Sequence, residues 1–195
     1  MRLPEYGVGR RPAQRAFIAI TRRLGAEVDD VGKVSLRRPG FFGRPFLALT
    51  QLSLRGRSAW SVGERELFAA VVSQANACSF CIGTHGAIAG SALGRPVDDD
   101  WRDGRFGVRA TAAARFVDIL TRDPASVDAH EVAAVRAAGV DDAALAEVVY
   151  VAFAFNTVNR VADALGFRHP SEGARLRGAR FLRLNGYRIP GFLMR

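Results

Sequence analysis

The sequence predicts a single all-α domain, and three features point to it. No segment shows the period-two alternation of a half-buried strand. Apolar residues recur instead at helical spacing, as at Leu67, Phe68, Val71, Val72 and Ala75. Such runs are framed by capping residues at one end and by Gly or Pro at the other. With 195 residues, the chain is long enough to bury one core without covalent staples.

Taken in order, residues 1–58 are interrupted by prolines and glycines, and within them "AFIAITRRL" and "PFLALTQLSL" are expected to be helical. "SVGERELFAAVVSQAN" opens with Ser61 and Glu64 at the spacing of a capping box, which predicts a helix start. "ACSFCIGTHGAIAGSALG" reads as a second helix ending near Gly94. A polar turn, "DDDWRDGRFG", leads into "VRATAAARFVDILT", which stops near "RDPAS"; Trp101 with Asp98 to Asp100 reads as a loop anchor. "SVDAHEVAAVRAAG" begins at a Ser or Asp cap and closes on Gly139. The longest helix is expected in "VDDAALAEVVYVAFAFNTVNRVADALGF", capped by Asp141 or Asp142 and ending at Gly166. Its "EVVYVAFAF" is rich in β-formers, yet its length and caps favour a helix.

Hydrophobic residues make up 49% and charged residues 24%, ordinary proportions for a soluble globular protein. No apolar run approaches the roughly 20 residues that cross a bilayer. "AFIAI" is too short for the core of a signal peptide, so a cytoplasmic location is expected. The net charge of +9 raises the question of nucleic acid, but the basic excess lies in residues 1–58 and 169–195. The cysteine-bearing middle is mildly acidic, Lys33 is the single lysine, and no recognised nucleic-acid motif is present. The basic ends therefore read as solvated tails that pack on a partner subunit, with no nucleic acid and no membrane as partner.

The chemistry concentrates in "QANACSFCIGTHGAIAG". At about 100° per residue, Cys78, Cys81 and His85 fall within about 60° of one another on a helix. Cys81 and His85, at i and i+4, are side-chain neighbours on that stripe. A thiol beside an imidazole favours thiolate, because the base takes the proton and the cation then stabilises the sulfur anion. A helix N-terminus near Cys78 adds the pull of its dipole, giving that residue its own claim to the lower pKa. The two-residue spacing lets either sulfur resolve a sulfenic acid on the other by forming a disulfide. Zinc wants four ligands, or three and a water, and only His130 and His169 remain, with no second CxxC. Covalent haem needs a histidine at position 82, which is Ile. Inert buried cysteines are the rival reading for either thiol alone.

Glu66 could complete a proton relay. On one straight helix it would lie about 18 Å from Cys78, so the chain must turn back near "QANA", where Asn76 tolerates a left-handed conformation. A solvated first-turn glutamate is the equally weighted alternative.

The ordered set Glu66, Cys78-x-x-Cys81 and His85, followed by "DILTRDPASV" and "GVDDAALAEVVYVAFAFNTVNRVADALGF", resembles the alkyl hydroperoxidase D-like branch of the carboxymuconolactone decarboxylase family, in its peroxidase-related members. The likeness spans about residues 40–168 and thins in the basic N- and C-terminal extensions. It implies a helical bundle with the CxxC on a helical hairpin, assembled as a homo-oligomer (trimer or hexamer). It also implies thiol-dependent reduction of a hydroperoxide, with no cofactor and no metal. By position, Cys81 would attack as thiolate. Cys78 would resolve, as the exposed partner of a dithiol reductant such as a lipoyl- or thioredoxin-like protein. Glu66 and His85 would remove the Cys81 proton. Phe80 stands where the best-known members carry a second histidine; a phenyl ring relays no protons, so slower turnover or a different oxidant is expected. Asn156, Asn159 and Arg160 of "FNTVNR" read as interhelical hydrogen bonds and a salt bridge with Asp163. The alternative function is a redox-sensing or scaffold protein whose Cys78–Cys81 disulfide toggles without catalysis.

Overall fold

The computed structural model describes residues 1–24, 26–97 and 99–194, apart from the side chains of Asp99 and Asp100. Among the described residues the chain forms nine α-helices joined by short 3-10 or π turns, with no strand. They are α1 (Pro12–Arg23), α2 (Asp30–Arg37), α3 (Arg44–Arg55), α4 (Val62–Ala75), α5 (Ser79–Leu93), α6 (Val108–Arg122), α7 (Ala129–Ala137), α8 (Asp142–Leu165) and α9 (Glu172–Asn185).

The expected caps are in place. Ser61 Oγ accepts from the Glu64 N–H at 3.2 Å while Glu64 Oε2 accepts from the Ser61 N–H at 2.7 Å, closing the capping box of α4. Asp128 and Asp141 cap α7 and α8. Gly94 and Gly166, with φ of 72° and 61°, end α5 and α8 in the left-handed region that glycine enters without steric cost.

α4 is the central helix. Leu67, Phe68, Ala69, Ala70, Val71 and Val72 are all fully buried, so it has apolar neighbours on every side rather than along one stripe. α5 packs along it, and α3, α6 and α8 complete its surroundings. Near the start of α4, Gly63 allows Leu93 at the end of α5 to approach closely, which fixes the two helices as an antiparallel hairpin. Trp60 seats this hairpin on α8: its ring meets Phe68 edge-on at 4.9 Å, and its N–H donates to the Ala144 carbonyl at 2.9 Å. Side chains buried like these contribute about 1.5–3 kcal/mol each, so α4 is where packing holds the site rigid. Trp101 is indeed an anchor, buried and donating to Gln74 Oε1 at 3.0 Å; Asp98 lies outside the described residues.

Two helices go beyond the sequence expectation, α2 and α9. The reading of both ends as solvated tails is corrected by the packing. Gln14 of α1 is buried and donates to the carbonyls of Leu36 and Leu193, tying the two ends together. Leu36, Leu193 and Met194 form a small second core there. α9 lies against α5, where Arg175 and Arg183 donate to the carbonyls of Gly83 and Ser91.

Candidate active site

The hairpin turn has a defined chemistry. Asn76 caps α4 in a helical conformation, and the left-handed residue is Ala77, with φ of 55°, not Asn76 as expected. The Ala77 N–H donates to the Gln74 carbonyl and the Cys78 N–H to the Ser73 carbonyl, both at 2.9 Å. This pair of bonds is a Schellman closure, which satisfies the last carbonyls of α4 and reverses the chain. Asn76 is occupied elsewhere: its Nδ2 donates to Asn156 Oδ1 at 2.9 Å and to Asn159 Oδ1 at 3.0 Å on α8. The polarity of this amide chain is fixed at both ends. Asn156 Nδ2 is committed to the Ala152 carbonyl, and Asn159 Nδ2 to Ser73 Oγ, whose own proton goes to the Ala69 carbonyl. The interhelical role expected of Asn156 and Asn159 is thus met, whereas Arg160 is exposed and forms no ion pair with Asp163.

The turn sets Cys78 as the N-cap residue of α5, with extended backbone, so only Cys81 and His85 lie on the helix itself. Both cysteines are free thiols, 0% and 1% exposed. The expectation of Cys78 as an exposed sulfur is corrected: it is buried within the main core. Hydrogen bonding from the Cys81 thiol draws Cys78 below the usual thiol value of 9.0; burial opposes this and the Cys81 backbone N–H assists. Cys81 is pushed well above that value, first because its proton is engaged by Cys78 and then by burial, while hydrogen bonding from Asn159 pulls the other way. Of the two thiols, Cys78 is therefore the one that ionises more readily, as the helix N-terminus favours.

Glu66 is not on the solvent side. It is completely buried on α4 and meets His85 across the hairpin, His85 Nδ1 lying 2.6 Å from Glu66 Oε2. The other oxygen, Oε1, receives Arg55 Nη2 and the Tyr187 hydroxyl, each at 2.7 Å. Burial raises the Glu66 carboxyl, but His85, Arg55 and Tyr187 outweigh it and hold the group below its ordinary 4.5. The His85 ring is 7% exposed with its neighbours counted and stands edge-on to Phe155 at 4.4 Å between ring centres. Phe80 packs edge-on against Phe167 at 5.4 Å, an apolar wall beside the thiols.

All four expected residues thus sit in the α4–α5 hairpin, where Glu66 and His85 are hydrogen-bonded and Cys78 and Cys81 are buried free thiols. Sequence reasoning missed Arg55 and Tyr187. An arginine ending a helix and a tyrosine in a basic tail carry no spacing signal linking them to Glu66. Among the described residues no three His, Cys, Asp or Glu side chains gather to hold a metal ion, and no helix is long and apolar enough to cross a membrane.

No protein-family model matches the chain, and no curated protein matches its sequence. Solved structures do. An uncharacterized peroxidase-related protein from Silicibacter sp. TM1040 is 26% identical with a TM-score of 0.69, over 84% of this chain and 88% of that one. An alkylhydroperoxidase AhpD core, an uncharacterized peroxidase-related protein from Ralstonia eutropha JMP134, is 25% identical with a TM-score of 0.69, over 82% of this chain and 86% of that one. In its fold the chain therefore stands with the peroxidase-related proteins of the alkyl hydroperoxidase D-like type, the kind its thiol motif resembles.

Proposed function

We propose that the protein is a thiol-dependent peroxidase that reduces hydroperoxides through the Cys78–Cys81 pair. The observation that carries this reading is the buried Glu66–His85 hydrogen bond of 2.6 Å, on the same hairpin as two buried free thiols. With Glu66 on Nδ1, the other ring nitrogen of His85 is free to take the Cys81 proton one helical turn away. The Cys81 thiolate then attacks one peroxide oxygen. The O–O bond breaks, the alkoxide takes a proton and leaves as alcohol (water, for hydrogen peroxide), and Cys81 becomes a sulfenic acid. Cys78, the more acidic of the two thiols, attacks that sulfur as thiolate; the S–S bond forms and hydroxide leaves as water after protonation. A dithiol reductant, a lipoyl- or thioredoxin-like protein, reduces the disulfide by exchange. Burial of Cys78 favours a slender lipoyl-type arm. A reducing cytoplasm belongs to the same reading. So does a homo-oligomer, trimer or hexamer, supported by Val149, Tyr150 and Phe153 exposed along α8.

Purified protein is expected to consume hydroperoxide with a dithiol donor. His85→Asn lowers the rate about 10²-fold or more, as loss of a general base does. Cys81→Ser abolishes it, and full activity in that variant contradicts the proposal. A reversible disulfide without turnover would instead identify a redox-sensing or scaffold protein.

A further inference from the structure

The C-terminal segment reaches the relay by a built route. Helix α3 presents Gln51 and Arg55, one turn apart, as a dock. Gln51 Oε1 accepts the Tyr187 N–H at 2.8 Å, and Arg55 Nη2 donates to the Leu182 carbonyl at 3.0 Å at the end of α9. Between them Gly186 adopts φ of 69°, and a Cβ there would collide with Gln51 Oε1. This turn aims the Tyr187 hydroxyl inward onto Glu66, with the Arg55 guanidinium 5.1 Å from its ring centre. Each oxygen of the carboxylate thus has its own donors: Arg55 and Tyr187 on Oε1, His85 on Oε2.

We infer that Tyr187 is a positioning residue which, with Arg55, keeps Glu66 a fixed anion, so that His85 retains its Nδ1 proton and presents Nε2 as the base. A carboxylate saturated at one oxygen by a cation and a hydroxyl competes poorly for the imidazole proton. It orients the ring instead, as the aspartate does in a Ser-His-Asp triad. Tyr187 remains a donor throughout, because burial and the Glu66 charge push its own ionisation well above the usual 10.0. The catalytic consequence rests on the thiol reading above; the tautomer does not.

The test uses the full chain with ring-15N-labelled histidine at mildly alkaline pH, the His85 signal being assigned by its loss in His85→Gln. Wild type is expected to show Nδ1 protonated and Nε2 bare. Tyr187→Phe, which keeps the ring under Arg55 and removes only the hydroxyl, is expected to populate the Nε2–H form. It should also slow iodoacetamide alkylation of Cys81, read by peptide mass, about tenfold, the worth of one hydrogen bond to a charged group. Gly186→Ala, which displaces the whole segment, moves both readouts in the same direction. Unchanged tautomer and alkylation in Tyr187→Phe reduce the residue to packing and overturn the inference. A wild-type His85 protonated on Nε2, alone or together with Nδ1, overturns it without any variant. Failure of peroxide turnover in wild type strikes the functional proposal and leaves these readouts standing.

Discussion

At the residue scale the site is governed by where two charges rest. The Glu66 carboxylate is compensated on both oxygens, and Cys78 is the more readily ionised thiol because Cys81 hydrogen-bonds to it. Since the Cys78 value is lowered and the Cys81 value raised, limited iodoacetamide at neutral pH is expected to label Cys78 first, as read by peptide mass. Label arriving first on Cys81 would make that residue the more acidic thiol. The motif alone left this open, because the imidazole argument favoured Cys81 and the helix N-terminus favoured Cys78. What decides it is the hydrogen bonding around each sulfur, which spacing does not encode.

At the element scale the hairpin depends on one strained residue. Ala77 holds φ of 55°, a region costing a non-glycine residue about 1 kcal/mol or more. Ala77→Gly is therefore expected to raise stability by about 0.5 kcal/mol net of the entropy glycine adds to the unfolded chain, measured by urea denaturation. Loss of stability would mean the turn is not strained. The hairpin itself was legible in the sequence, because the capping box, the apolar run and the glycine stop of Gly94 are local signals. The left-handed position was misplaced by one residue because the Asn76 side chain serves α8 rather than its own backbone. α2 and α9 escaped for different reasons. α2 spans only eight residues, and α9 is arginine-rich, contains Gly173 and Gly178, and buries only Ala174 and Ala179. An apolar period that weak does not announce a helix; packing on α5 makes it one. Arg55 and Tyr187, in turn, reach Glu66 only through tertiary folding.

At the scale of the whole molecule, the basic ends are part of the structure, so the +9 charge surrounds a core that buries an ionised carboxylate. The Glu66 carboxyl is held below 4.5 in the folded state, so its contribution to stability is present above the unfolded value and lost as pH falls through the folded one. Stability is expected to drop in the acid range below 4.5, and that dependence to flatten in Glu66→Gln. The same variant leaves Arg55 buried without its counter-charge and costs about 3–5 kcal/mol at neutral pH. An unaltered acid profile in the variant would show that other carboxyls carry the effect. The peroxidase reading itself is tested most directly by a single turnover. Reduced protein is mixed with one equivalent of hydroperoxide, and the alcohol released is measured beside the intact mass. The account predicts one alcohol per chain and the loss of two hydrogens as a Cys78–Cys81 disulfide; unchanged thiols with the peroxide intact would contradict it.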